Sequence, residues 1–205
     1  MYSLLGIPIV YTFSQWVFAH NKKTKNAWRA LMIDHEAKIV LDVGCGLGKD
    51  SIYFINSKKY IGIDISQFYI NSAKKNYSKY GEFYCLPIEK IEQLPIKNID
   101  IIILNGVFHH LSDSVIYEFL TKIKGKMSEE GIICSIDSFL ADSKTLTNLV
   151  VSLDRGKFVR SAKGLIKIIS KHMCIESKQT INQKLPSYQR LLLSASNDKQ
   201  SKSKK

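Results

Sequence analysis

The stretch IVLDVGCGLGKDS, residues 39–51, constrains the fold more than any other part of the chain. Ile39 to Val43 form a short apolar run that reads as a buried strand. Gly44, Gly46 and Gly48 then alternate with Cys45 and Leu47 before a helical pattern opens. Glycine tolerates positive φ and lets a ligand approach the main chain, so this spacing reads as a tight turn lying against a cofactor. Asp42, the last polar residue before the turn, falls at the carboxyl end of the strand, where open α/β sheets hold their ligands.

Strand and helix patterns alternate after the turn. Residues 49–57 read as a helix, and KYIGIDIS at 59–66 as a second buried strand ending in Asp64. A carboxylate in that place accepts hydrogen bonds from both hydroxyls of a ribose, while its bland role is a helix cap. Ser66 is itself a good N-cap for a helix over 67–79. A third strand at 82–88 and a short helix at 89–94 lead to the apolar run Ile99–Leu104, which ends in Asn105 and Gly106. Such a run suits a central parallel strand covered on both faces. An amphipathic helix at 113–127 and the strand IICSIDSF follow. Residues 142–172 read as one or two helices, interrupted at Asp154, Arg155 and Gly156, and 174–182 and 188–195 as a closing antiparallel hairpin. Strands alternating with helices imply a right-handed, mostly parallel sheet.

At 205 residues the chain suits one domain, taken as 1–196 with an N-terminal segment 1–37 and a disordered basic tail 197–205. The formal charge of +12 invites a nucleic acid or an acidic surface as partner, although scattered lysines also simply solvate helix faces. The four cysteines form no C-x-x-C pair, which points to reduced thiols in a cytoplasmic protein and to no metal site. Residues 1–19 carry no charge and are mostly apolar, so they read either as a membrane anchor or as a lid. Gly6, Pro8, Thr12, Ser14 and Gln15 interrupt the run and favour a lid that offers Tyr11 and Gln15 to an acceptor.

A dinucleotide site of the form G-x-G-x-x-G would need glycine at Lys49. The pattern here is G-x-G-x-G. With Asp64 after the second strand and NGVFHHL after the fourth, VLDVGCGLGKDS resembles the first motif of the class I S-adenosylmethionine-dependent methyltransferases. The resemblance covers most of the chain. It implies a Rossmann-like α/β fold, a seven-stranded mostly parallel sheet with an antiparallel C-terminal hairpin, and helices on both faces. It also implies S-adenosylmethionine as cofactor, with the backbone at Gly44, Cys45, Gly46 and Gly48 along its methionine and ribose portions. Asp42 would reach its amino group through water, Asp64 would bind the ribose hydroxyls, and Ile65 would pack on adenine. Ile88 would contact the ring through its backbone, and Asn105 would line the same edge. Pro87 stands where many members carry an aspartate for the adenine amino group, so one hydrogen bond fewer is expected there.

Methyl transfer mainly requires alignment and exclusion of water, and a hydroxyl acceptor gains from a general base. His109 and His110 are the candidates, the alternative being a structural role capping the next helix. The DRGKFVR stretch, 154–160, resembles that of small bacterial methyltransferases. Arg155 and Arg160 in it suggest either an anionic acceptor or a structural ion pair. NGVF replaces the N/D-P-P-Y/F motif of enzymes that methylate amino groups of adenine or glutamine. The expected acceptor is therefore a small molecule or glycan; the alternatives are an RNA methyltransferase and a non-catalytic S-adenosylmethionine-binding protein. Oligomeric state is not legible.

Overall fold

A computed structural model describes residues 39–139, 157–184 and 187–197. The elements are β1 (Ile39–Val43), β2 (Lys59–Asp64), α1 (Gln67–Tyr77), β3 (Glu82–Cys85), β4 (Ile99–Asn105), α2 (Asp113–Lys124), β5 (Met127–Ser138), α3 (Ala162–Ile169), β6 (Cys174–Lys184) and β7 (Ser187–Ser196). They build one seven-stranded sheet in the order β3-β2-β1-β4-β5-β7-β6. The first five strands run parallel, and β7 lies antiparallel between β5 and β6. Strand order reverses between β1 and β4, which opens a crevice at their carboxyl ends. The expected fold class is the observed one.

The near-continuous apolar strands are explained by their two covered faces. Leu41, Ile102, Leu104 and Ile133 pack with Phe119 and Leu120 of α2 and Leu165 and Ile169 of α3. Val40, Ile101, Ile103 and Cys134 face the other way, toward Phe54, Ile70, Ala73 and Phe83. Burial of each such large side chain contributes about 1.5–3 kcal/mol. Each α-helix starts on a serine whose hydroxyl accepts a backbone N–H: Ser66 from Tyr69, Ser112 from Val115 and Ser161 from Gly164.

Several boundaries differ from the sequence expectation. The helix after the glycine turn is a short 3-10 helix, Lys49–Phe54, entered from Gly48 in the left-handed region without a side-chain cap. β3 stops at Cys85, two residues before Pro87, which has no N–H to continue a ladder. β5 begins earlier than expected, at Met127, through an irregular register between Ile99 and Ile101. Within 142–172 the described helix is α3, and the tail beyond Asn197 lies outside the described residues, as does the N-terminal segment. No helix among the described residues is long and apolar enough to cross a membrane.

Gly62 on β2 shows how tightly the turn sits on the sheet. A Cβ there would lie 2.7 Å from the Phe83 ring and 2.8 Å from Cys45 Sγ. Gly62→Ala is therefore expected to destabilise the fold by about 1–3 kcal/mol, the usual cost of overpacking. Adding Cys45→Ala should recover part of that loss in thermal melts, because Phe83 still crowds the site; additive effects of the two changes would refute the contact.

Candidate functional site

The carboxyl ends of β1, β2 and β4 meet at the glycine turn. Gly44, Gly46 and Gly48 all have positive φ, at 73°, 53° and 76°. The N–H groups of Gly44 and Cys45 both donate to the Ile63 carbonyl, at 2.8 and 3.0 Å. Gly46 N–H donates to Asp64 Oδ2 at 2.9 Å, and Ser66 N–H to Asp64 Oδ1 at 2.8 Å. Asp64 thus ties the turn to the end of β2. A carboxylate has about four lone-pair sites, so these two bonds leave acceptor capacity for a ligand. Burial pushes its carboxyl above the usual range, against the lowering effect of those backbone donors. A Cβ on Gly48 would fall 2.8 Å from Phe83 and 2.9 Å from Ala73, and one on Gly44 would fall 2.7 Å from Val107. Side chains are thereby excluded, and the Gly44 backbone stays exposed at the crevice.

Asp42 does not face that crevice. It is 2% exposed, on the same face as Tyr60, whose hydroxyl donates to Asp42 Oδ2. Burial, and then the nearby Asp50 charge, push its carboxyl up to about 8. The same burial, followed by the Asp42 and Asp64 charges, drives the Cys45 thiol upward, which removes it as a thiolate nucleophile. Toward β3, Ile65 is 77% exposed and Phe68 56%, an apolar surface beside Asp64. Cys85 Sγ donates to the Ile65 carbonyl, and the Ile88 side chain turns into the core, leaving its backbone at this end.

Asn105 is exposed at the end of β4, and Gly106 follows at φ 71° with its N–H on the Ile136 carbonyl. Of the two histidines, His109 is 7% exposed and its Nδ1 lies 2.7 Å from Asp137 Oδ1 of β5; His110 is exposed and stacks on it. A Cβ on Gly106 would lie 3.4 Å from His109 Cε1, so the imidazole edge abuts the β4 turn.

Arg160 corrects the expectation of an acceptor-binding arginine. Its Nε and one terminal nitrogen donate to Asp113, and the two terminal nitrogens also donate to the carbonyls of Phe108, Phe158 and Leu111. All five donors of the guanidinium are thereby spent on protein, and none is left for an anion. Tyr11, Gln15 and Arg155 lie outside the described residues. Among the described residues no group of three or more His, Cys, Asp or Glu could hold a metal ion.

A family model described as a methyltransferase domain matches residues 34–188. The chain belongs to that family. Among curated relatives, the domain is 27% identical to the carboxy-S-adenosyl-L-methionine synthase of Actinobacillus pleuropneumoniae serotype 5b, over 58% of this chain and 52% of that protein. It is 29% identical to the tRNA U34 carboxymethyltransferase of Colwellia psychrerythraea, over 57% of this chain and 37% of that protein. The chain spans about a third to two thirds of the length of the curated relatives it matches. The N-methyltransferase NodS of Bradyrhizobium japonicum, solved with S-adenosyl-L-homocysteine, superimposes with a TM-score of 0.71 at 13% identity, over 90% of this chain and 92% of that one. That likeness is one of fold.

The methyl donor of the domain is S-adenosylmethionine, as the glycine turn led one to expect. The residues present fit it: the Gly44 backbone is exposed at the crevice, and Asp64 beside it has lone pairs to spare. Sequence reading missed Tyr60, Phe83 and Asp137. Asp137 carries a signal of the kind used for Asn105, a polar residue closing an apolar strand.

Two expectations follow. In the unfolded chain Asp42 titrates near its ordinary 3.8, and in the folded state near 8. Its protonated form thus favours the fold fully below about pH 4, and that contribution is lost as pH rises to about 8, by at most about 1.4 kcal/mol per unit. Asp42→Asn keeps an oxygen for Tyr60 but carries no charge, so its melting temperature should gain on the wild type as pH rises; parallel melting curves across this range would contradict the buried-acid account. Arg160→Ala should cost about 2–3 kcal/mol in chemical denaturation, and Arg160→Lys should recover little, since an ammonium cannot span three carbonyls. Full recovery by lysine would show that charge alone matters.

Proposed function

We propose that this domain transfers a methyl group from S-adenosylmethionine to a hydroxyl or amine of a small-molecule or glycan-type acceptor. The observation that carries the reading is the buried His109, held by Asp137 at the sheet edge where Val107 packs on Gly44. Such an imidazole can take the proton that an acceptor loses. The bound donor supplies an electrophilic methyl group on a sulfonium. The backbone from Gly44 to Gly48 would hold its methionine and ribose portions, Asp64 its ribose hydroxyls, and Ile65 and the Ile88 backbone its adenine. Asn105 would line the same edge, and Asp42 would act from beneath the turn. Charge also favours a small acceptor: residues 39–139, which form this edge, carry eleven lysines against twelve carboxylates and offer no basic track. The domain is read as a single unit of a cytoplasmic protein.

A second reading, an RNA acceptor, is favoured by a different observation. Residues 157–197 carry eight Lys or Arg against one Glu, and the Colwellia relative is named for a tRNA position. Binding of tRNA that weakens steeply with salt would support it, and no binding at low salt would remove it.

The leading reading is tested by calorimetric titration with S-adenosylmethionine. Asp64→Ala should weaken binding at least about tenfold, equivalent to about 1.4 kcal/mol. Wild-type protein that binds no donor, or an Asp64→Ala variant that binds as well as wild type, would sink the site assignment.

A further inference from the structure

Asp137 lies one residue before the end of β5, opposite Leu191 of β7, and is 2% exposed. A carboxylate so buried is costly unless its oxygens are bonded. Among the described residues one oxygen takes both bonds: Oδ1 accepts the His109 backbone N–H at 3.2 Å and meets Nδ1 at 2.7 Å. Oδ2 is buried and has no partner among the described residues. A buried carboxylate oxygen without a partner among the described residues calls for an explanation.

The loop that bears His109 is held on several sides. Phe158 N–H donates to the His109 carbonyl at 3.0 Å. Arg160 donates to the carbonyls of Phe108 at 3.0 Å and Leu111 at 2.7 Å. The imidazole itself lies against Asp137, the Gly106 turn and the His110 ring. His110, by contrast, is exposed and projects from the same turn. The fold therefore buries one histidine of the pair and leaves the other exposed.

Resting on the methyl-transfer reading above, we propose that Asp137 is a positioning residue that holds His109 as its Nδ1–H tautomer, making Nε2 the proton acceptor. As the acceptor's O–H or N–H bond breaks, its proton passes to Nε2. The electron pair left on the acceptor forms the new bond to the methyl carbon, and the old S–C bond gives its pair to sulfur. Asp137 stays a carboxylate and faces the imidazolium that results. Its charge and its orientation of the ring act together, as a tautomer is set by the bond the other nitrogen makes.

Long-range proton–nitrogen NMR of His109, at a pH where the ring is neutral, reads the tautomer without any acceptor. Wild type and Asp137→Asn, whose amide oxygen can accept the same bond, should show Nδ1–H, and Asp137→Ala should shift to Nε2–H. In parallel, tritium-labelled methyl transfer from S-adenosylmethionine into the small-molecule fraction of a bacterial extract should fall about a hundredfold in Asp137→Ala, with donor affinity unchanged. Lys74→Ala, on the exposed face of α1, should leave both readouts at wild-type values. An Nε2–H wild-type ring, or an Asp137→Ala protein with wild-type tautomer and rate, overturns the proposal; should that variant not fold, the wild-type and Asp137→Asn spectra still decide. Absence of donor binding would instead overturn the methyltransferase reading, with the tautomer deciding on Asp137 independently.

Discussion

Three consecutive N–H groups of the glycine turn are spent on the end of the neighbouring strand, Gly44 and Cys45 on the Ile63 carbonyl and Gly46 on Asp64. The rest of the site depends on this arrangement. Buried peptide groups must find partners, and a turn this tight can offer its donors inward only at positive φ. Because the donors point back to β2, the ends of β1 and β2 are locked together. The same glycines let the turn touch its other neighbours: Gly48 meets Phe83 of β3, and Gly44 meets Val107 after β4. One backbone conformation thus gathers four strand ends into one edge.

Below that edge the protein keeps acids rather than bases. Burial, and then the Asp50 and Asp64 charges, raise the affinity of the Asp42 carboxyl for its proton. On the other side of β4 the polar groups serve a different purpose. Arg160, Phe158 and Asp137 converge on the loop from Phe108 to Leu111 and fix its backbone and one imidazole. The site thus has a binding half organised by glycine and a chemical half organised by a clamped loop.

The arginine illustrates how far local reasoning reaches. Of the two readings of Arg160, an anionic acceptor or a structural ion pair, the structure shows an ion pair, with Asp113. Nothing local to DRGKFVR reveals that partner, or the carbonyls about fifty residues away. Tyr60 was missed for a related reason: within an apolar strand its ring reads as core, and its hydroxyl finds Asp42 only through the parallel register of β1 and β2. Pro87, by contrast, acted as local chemistry dictates, with β3 ending just before it.

The methyl donor was implied by the family that the glycine turn and Asp64 resemble. What the sequence by itself determined was the alternation of buried strands and capped helices, and the glycine turn. These follow from backbone sterics and periodicity, which act within a few residues. Only the tertiary structure decided which polar groups share a partner: Asp64 with Gly46, Asp42 with Tyr60, His109 with Asp137, and Arg160 with the histidine loop. Those pairings join residues 18 to 52 positions apart. They exist because sheet order and register bring strand ends together, and hydrophobic burial, which sets that order, is blind to the polar atoms it carries along.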